Sequence, residues 1–192
     1  MGNPLRDRRT AAEFAADGQV IEFKEKIGLF AGLAEIVEAD LAALEPSRIP
    51  SAWRETEVSG RLQFGYVDAA GRVPIVSGRA TARIDAVCQR CLEPFQLDIS
   101  TEPKLLLLDA EQQVDGYEDF EVWELGTPAF RPQDIVEELL IMAMPYSAMH
   151  DRMAECKALT PDISPETGVV TELKRPFANL RSQMKQHESD PD

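Results

Sequence analysis

Cys88-Gln89-Arg90-Cys91-Leu92-Glu93-Pro94-Phe95 separates two stretches of alternating residues. Upstream, Ala80, Ala82, Ile84, Ala86 and Cys88 share one parity, with Arg79, Thr81, Arg83 and Asp85 on the other. Downstream, Phe95, Leu97 and Ile99 alternate with Gln96, Asp98 and Ser100. A period of two over such lengths marks half-buried strands. Cys88 closes one strand on its apolar face and Phe95 opens the next. Cys91 lies three residues past Cys88, so a continuous strand would point the two thiols to opposite faces. They converge only if the chain turns between them, which predicts a β-hairpin with a paired-thiol knuckle at its tip.

Three chemistries suit paired thiols. A thioredoxin-like redox pair needs its first cysteine at a helix N-terminus within a βαβ unit and markedly acidic. Here strand pattern lies on both sides and Pro94 follows, which fits poorly. A structural zinc site needs four tetrahedral ligands. Cys88 and Cys91 supply two; His150 and Cys156 are the evident others, giving a Cys3His set that uses all three cysteines and one of two histidines. Such a Zn2+ ion would tie the loop holding His150 and Cys156 to the hairpin tip, although roughly sixty residues separate the two pairs. The third chemistry is buried reduced thiols with no metal. Zinc and no metal remain open alternatives.

Bulk composition narrows the class. The 192 residues are 44% hydrophobic and 28% charged, as in ordinary globular chains. No apolar run approaches the ~20 residues of a membrane span, and no apolar core follows the arginines of Met1–Thr10, so a cytoplasmic location is expected. Three cysteines do not make a disulfide framework in a reducing compartment. A net charge of −14 opposes broad binding to nucleic acid but leaves room for a local basic patch.

Residues 1–13 read as a flexible, polar N-terminus, and 14–170 as a single α+β domain. Val20–Phe23 suggests a short strand. Leu29, Phe30, Leu33, Ile36, Val37, Leu41 and Leu44 have helical spacing, stopped by Pro46. A β-meander follows from Glu57, with Val58, Leu62, Phe64 and Tyr66 on one parity and a hairpin loop at Asp68–Gly71. The second strand, about Val73 to Cys88, contains Gly78, which suggests a bend or bulge. The third runs from Phe95 to about Leu108. Val20–Phe23 and Glu121–Glu124 are candidates to widen the sheet to five strands. Pro132, at a helix first turn, introduces a helix with Ile135, Val136, Leu139, Leu140 and Ala143 on one face, ending at Pro145 and packed across the sheet. Met142, Met144 and Met149 read as core filler. The expected architecture is therefore α+β, an antiparallel sheet or meander covered on one face by helices, with CxxC at a hairpin turn.

Charge is unevenly placed. Asp109–Ile141 holds ten acids against Arg131, a solvated surface or a docking face for a basic partner, and its first half reads as a partly mobile loop. Leu173–His187 holds Lys174, Arg175, Arg181 and Lys185 with no acid, and Phe177, Leu180 and Met184 would make it an amphipathic basic helix within 171–187. It suits either docking on the acidic body or contact with RNA or an acidic partner; 188–192 read as a tail. No phosphate-cradling Gly-rich motif or spaced catalytic set is present, so an enzyme is not supported.

The CxxC block, the helix ending Met144-Pro145 with His150 and Cys156 beyond it, and Arg175-Pro176-Phe177-Ala178-Asn179-Leu180 together resemble the YceD family, over roughly Phe14 to Lys185. The resemblance implies a ribosome-biogenesis role in the synthesis, processing or stability of 23S ribosomal RNA. Family members differ in whether they keep the full CxxC–His–Cys set, so a metal does not follow from the resemblance. Joined to the charge, it points to a non-enzymatic factor that binds a basic ribosomal protein or assembly factor, with Lys174, Arg175, Arg181 and Lys185 as the RNA contact. The alternative is a zinc-stabilised adaptor that binds proteins outside ribosome biogenesis; a thiol redox enzyme ranks third.

Overall fold

The computed structural model describes residues 3–67, 73–109, 112, 114 and 116–156, all within one compact unit, Met1–Leu159. The hairpin loop expected at Asp68–Gly71 and the whole basic segment, with Lys174, Arg175, Arg181, Lys185 and the tail, lie outside the described residues.

In chain order the elements are β1 (Arg9–Thr10), α1 (Ala11–Ala16), β2 (Val20–Lys26), α2 (Ala31–Leu41), β3 (Glu57–Tyr66), β4 (Pro74–Val87), β5 (Pro94–Thr101), β6 (Lys104–Asp109), β7 (Glu121–Leu125), β8 (Ala129–Phe130) and α3 (Pro132–Met142). The main sheet runs β2-β3-β4-β6-β7, with β5 also on β4, and β1 pairs with β8 in a small ribbon. All pairings are antiparallel except β6 with β7, which is parallel, so the sheet is mixed.

The long strand read from Phe95 to Leu108 is present as β5 and β6, both laid along β4. Ala80 faces Thr101 and Ser77 faces Lys104, so the register runs unbroken across the gap. Pro103 interrupts the ladder because it has no N–H to give, while its carbonyl still accepts from Gly78 at 3.2 Å. Gly78 marks no bulge: its pairing to Leu62 is in step with its neighbours. It is required because a Cβ there would sit 2.0 Å from the Arg61 carbonyl oxygen, so the adjacent strand leaves no space for a side chain.

The alternation read along β3 and β4 is the alternation of burial. Val58, Leu62, Phe64, Val76, Ala80, Ala82 and Ile84 point into the core, where they meet Phe14 of α1, Leu33, Val37 and Leu41 of α2, and Ile135, Val136 and Leu140 of α3. Phe14 stacks on Phe64 with centroids 4.8 Å apart, and Phe130 completes the trio. The opposite face of the sheet carries exposed cross-strand pairs such as Arg83 with Asp98 and Arg79 with Glu102. β6 is apolar on both faces: Leu105 and Leu107 enter the main core, whereas Leu106 and Leu108 join Val73 in a second cluster.

Four expectations are corrected. The N-terminal segment packs: Leu5 is fully buried, Asn3 bonds Glu25, and Thr10 with Glu13 forms a capping box on α1. Val114, Tyr117 and Phe120, from the stretch read as a mobile loop, pack over Leu106 and Leu108. Met142 and Met149 are exposed, and only Met144 packs on the core. α3 stops at Met142, three residues short of Pro145, because proline disfavours helical backbone before it.

α3 also completes α2. No side chain of α2's own N-cap residue bonds its first turn, so the orphan N–H groups need another partner. The Glu137 carboxylate accepts from Gly32 and from Leu33 (3.1 Å for Leu33), placing negative charge at the positive end of the α2 dipole. Gln133 Nε2 donates to the Leu29 carbonyl at 2.5 Å. Of the ten acids counted above, Glu137 and Asp134, which is paired with Arg131, therefore serve helix ends rather than the solvated surface.

Candidate metal centre

β4 delivers Cys88 at its end because Ala80, Ala82, Ile84 and Ala86 set that parity inward. The chain then turns tightly. Leu92 N–H donates to the Cys88 carbonyl at 2.8 Å, and Cys88 N–H donates to the Glu93 carbonyl at 2.9 Å. Leu92 adopts a left-handed φ of 58°, an uncommon conformation for a branched residue, and this reverses the chain in time for Pro94 to start β5. Asp40 of α2 braces the base, its carboxylate accepting Val87 N–H at 2.7 Å. Arg48 braces the tip through Glu93 at 2.5 Å and the Leu92 carbonyl.

The loop after α3 comes over this knuckle. Gln89 N–H donates to the Ala148 carbonyl at 2.8 Å, and His150 lies against Phe95 with ring centroids 4.7 Å apart. A single 3-10 turn, Met153–Glu155, then brings Cys156 in. The ligand atoms of Cys88, Cys91, His150 and Cys156 all fall within 4.8 Å of one another. Cys88 Sγ and Cys156 Sγ are 3.9 Å apart. His150 Nδ1 is 3.6 Å from Cys91 Sγ and 3.5 Å from Cys156 Sγ. The three thiols are buried and free, forming a cluster of their own with Phe95, separate from the main core.

Electrostatics distinguish the thiols. Burial pushes the Cys88 thiol up, but the backbone N–H groups of His150, Cys91 and Arg90, with the His150 ring, outweigh it and lower the thiol to about 6. Burial, together with the neighbouring Cys91 and Cys88, pushes the Cys156 thiol up. An acidic Cys88 meets one condition for a redox pair. The others are not met: Cys88 is wholly buried at the end of a strand, away from any helix N-terminus, so an incoming disulfide has no approach. Arg90, between the two cysteines, contacts Cys156 Sγ at 3.7 Å and Met149 Sδ at 3.6 Å. Sequence reasoning passes over it, yet its place inside CxxC is the signal that could have found it. Asp40 leaves no such signal, since its role exists only once α2 lies beside β4.

The fold and cluster together define a class, an α+β protein on a mixed sheet whose β4–β5 hairpin ends in a cysteine knuckle faced by a His/Cys loop. The family model of the large ribosomal RNA subunit accumulation protein YceD matches residues 76–185, more than half of the chain, and the protein belongs to that family. The matched span is narrower than the Phe14–Lys185 of the resemblance: it takes in β4 to β8, α3 and all four clustered residues, and leaves out β2, β3, α1 and α2. Comparison with curated proteins and with solved structures returned no match. Among the described residues, no helix is long and apolar enough to cross a membrane.

Proposed function

We propose that the protein is a non-enzymatic ribosome-biogenesis factor of the cytoplasm, supporting the synthesis, processing or stability of 23S ribosomal RNA. The observation that carries this reading is the family match over residues 76–185, whose description names accumulation of the large-subunit RNA. Charge supports a route. A chain of net charge −14 is better suited to meeting a basic ribosomal protein or assembly factor than to coating RNA. Glu118, Asp119, Glu121, Glu124 and Glu138 are exposed and free of the helix-end roles of Glu137 and Asp134. Lys174, Arg175, Arg181 and Lys185 are the proposed RNA contact.

The test is the ratio of 23S to 16S ribosomal RNA in cells depleted of the protein. A fall in that ratio supports the reading, and an unchanged ratio overturns it. The Cys/His cluster also suits the adaptor alternative, a metal-stabilised module that binds proteins outside ribosome biogenesis; that alternative predicts the unchanged ratio. Reversing the four basic charges should weaken association with ribosomal particles, and the weakening should shrink as salt rises.

A further inference from the structure

We propose that Cys88, Cys91, His150 and Cys156 hold a structural Zn2+ ion in a closed Cys3His tetrahedron, and that this ion fastens the β4–β5 hairpin to the loop after α3. The first argument is metrical. Zn–S bonds of about 2.3 Å and Zn–N bonds of about 2.0 Å at tetrahedral angles set sulfurs about 3.8 Å apart and sulfur and nitrogen about 3.5 Å apart. The observed edges are 3.9 Å between Cys88 and Cys156, and 3.6 and 3.5 Å from the imidazole to Cys91 and Cys156. No pair of ligand atoms exceeds 4.8 Å, so closure about an ion needs side-chain adjustment of about 1 Å at most.

The second argument is that competing uses of these atoms fail. A disulfide needs sulfurs about 2.05 Å apart and leaves one of three cysteines over. Plain hydrophobic packing would set the thiols among carbon, but here they contact one another and an imidazole, with Phe95 the one aromatic partner in their cluster. Four protein ligands leave no open position, so the site is structural rather than catalytic. Thiolates with one imidazole in a tetrahedron select zinc over magnesium, calcium or manganese, which prefer oxygen.

The third argument is the surround. Three thiolates, a neutral imidazole and Zn2+ sum to one negative charge, and the Arg90 guanidinium lies 3.7 Å from one of the sulfurs. Mechanically, the loop from Pro145 to Cys156 contributes no carbon side chain to the main core, so its seat on the hairpin depends on this cluster, one backbone hydrogen bond at Gln89 and the Arg90 contacts.

This inference does not rest on the ribosomal reading, and its test uses purified protein. Full-length chain prepared without chelator or metal-affinity tag should carry about one zinc ion per chain by elemental analysis. Exchange with Co2+ should give the intense visible bands of a tetrahedral ion and thiolate charge transfer sized for three sulfurs. Cys156→Ser should lose the stoichiometric metal, whereas His150→Cys, which keeps a four-ligand set, should retain it with stronger charge transfer. Metal far below stoichiometry with three freely reactive native thiols, iron in place of zinc, or a weak octahedral Co2+ spectrum would each overturn the proposal. The wild-type cobalt spectrum decides the matter even if a cysteine variant fails to fold.

Discussion

Two joints hold α3 to the rest of the molecule, and they are built from different chemistry. At the first, Gln133 and Glu137 reach from α3 to the start of α2, and Ile135, Val136 and Leu140 fill the core beside them. There the partners are conventional: N–H groups meet a carboxylate and a carbonyl meets an amide N–H, with Gln133 Oε1 the one buried side-chain atom left unpartnered among the described residues. At the second, the loop after α3 meets the hairpin through three thiols and an imidazole, four groups that are poor partners for one another and good ones for a cation. The first joint is permanent wherever the chain is folded. Under the zinc assignment proposed above, the second is conditional on the ion that occupies it.

The comparison can be broken in order of expected effect. Stripping the metal with a strong chelator should cost the most, of order 5 kcal/mol where unfolding is followed in urea. Its signature is selective: hydrogen exchange through residues 145–156 should rise at least about tenfold, while amides of the α2–α3 joint stay protected. Equal loss at both joints would erase the distinction. Phe64→Ala, which removes the ring stacked on Phe14 from the shared core, should cost about 3–5 kcal/mol and loosen both joints together. Glu137→Ala should cost about 1–2 kcal/mol by stripping the start of α2, with faster exchange at Gly32 and Leu33 and none added in the 145–156 loop. Asp40→Ala should cost about 1 kcal/mol, seen at the Val87 amide. Arg83→Ala with Asp98→Ala, on the open face of the sheet, should leave the urea midpoint unchanged and retain full metal content, because that ion pair is solvent-exposed.

What the sequence made legible follows the range of each interaction. The β3 and β4 strands, the β4–β5 hairpin and both long helices can be read because alternation, helical spacing and Pro132 are local signals. The parallel seating of β7 on β6 cannot: Leu105 faces Glu121 across a connection whose path no nearby residue announces. Leu5 was hidden by the polarity around it, although Thr10 and Glu13 carry a capping-box spacing that marks order nearby. At the cluster, Cys88 and Cys91 declare themselves by spacing, whereas His150 and Cys156 could be proposed only because so few other ligands exist. Glu137 is the instructive miss. Counted by composition it was one surface acid among ten, and only the placement of Gly32, 105 residues away, gives it a partner.

The separation of the cysteines bears on how the chain finds this structure. Cys88 and Cys91 share one turn, so they can gather a metal ion early, before distant strands have paired. Cys156 lies 68 residues beyond Cys88, and bringing it to the same ion closes a loop through β5, β6, β7, β8 and α3. In an unfolded chain a cross-link over that span removes conformational entropy worth about 4 kcal/mol. Ligation by His150 and Cys156 would then come late, completed only when α3 has docked, and the ion would act as a latch on an assembled fold. The entire closed loop lies within residues 76–185, the stretch by which the family is recognised.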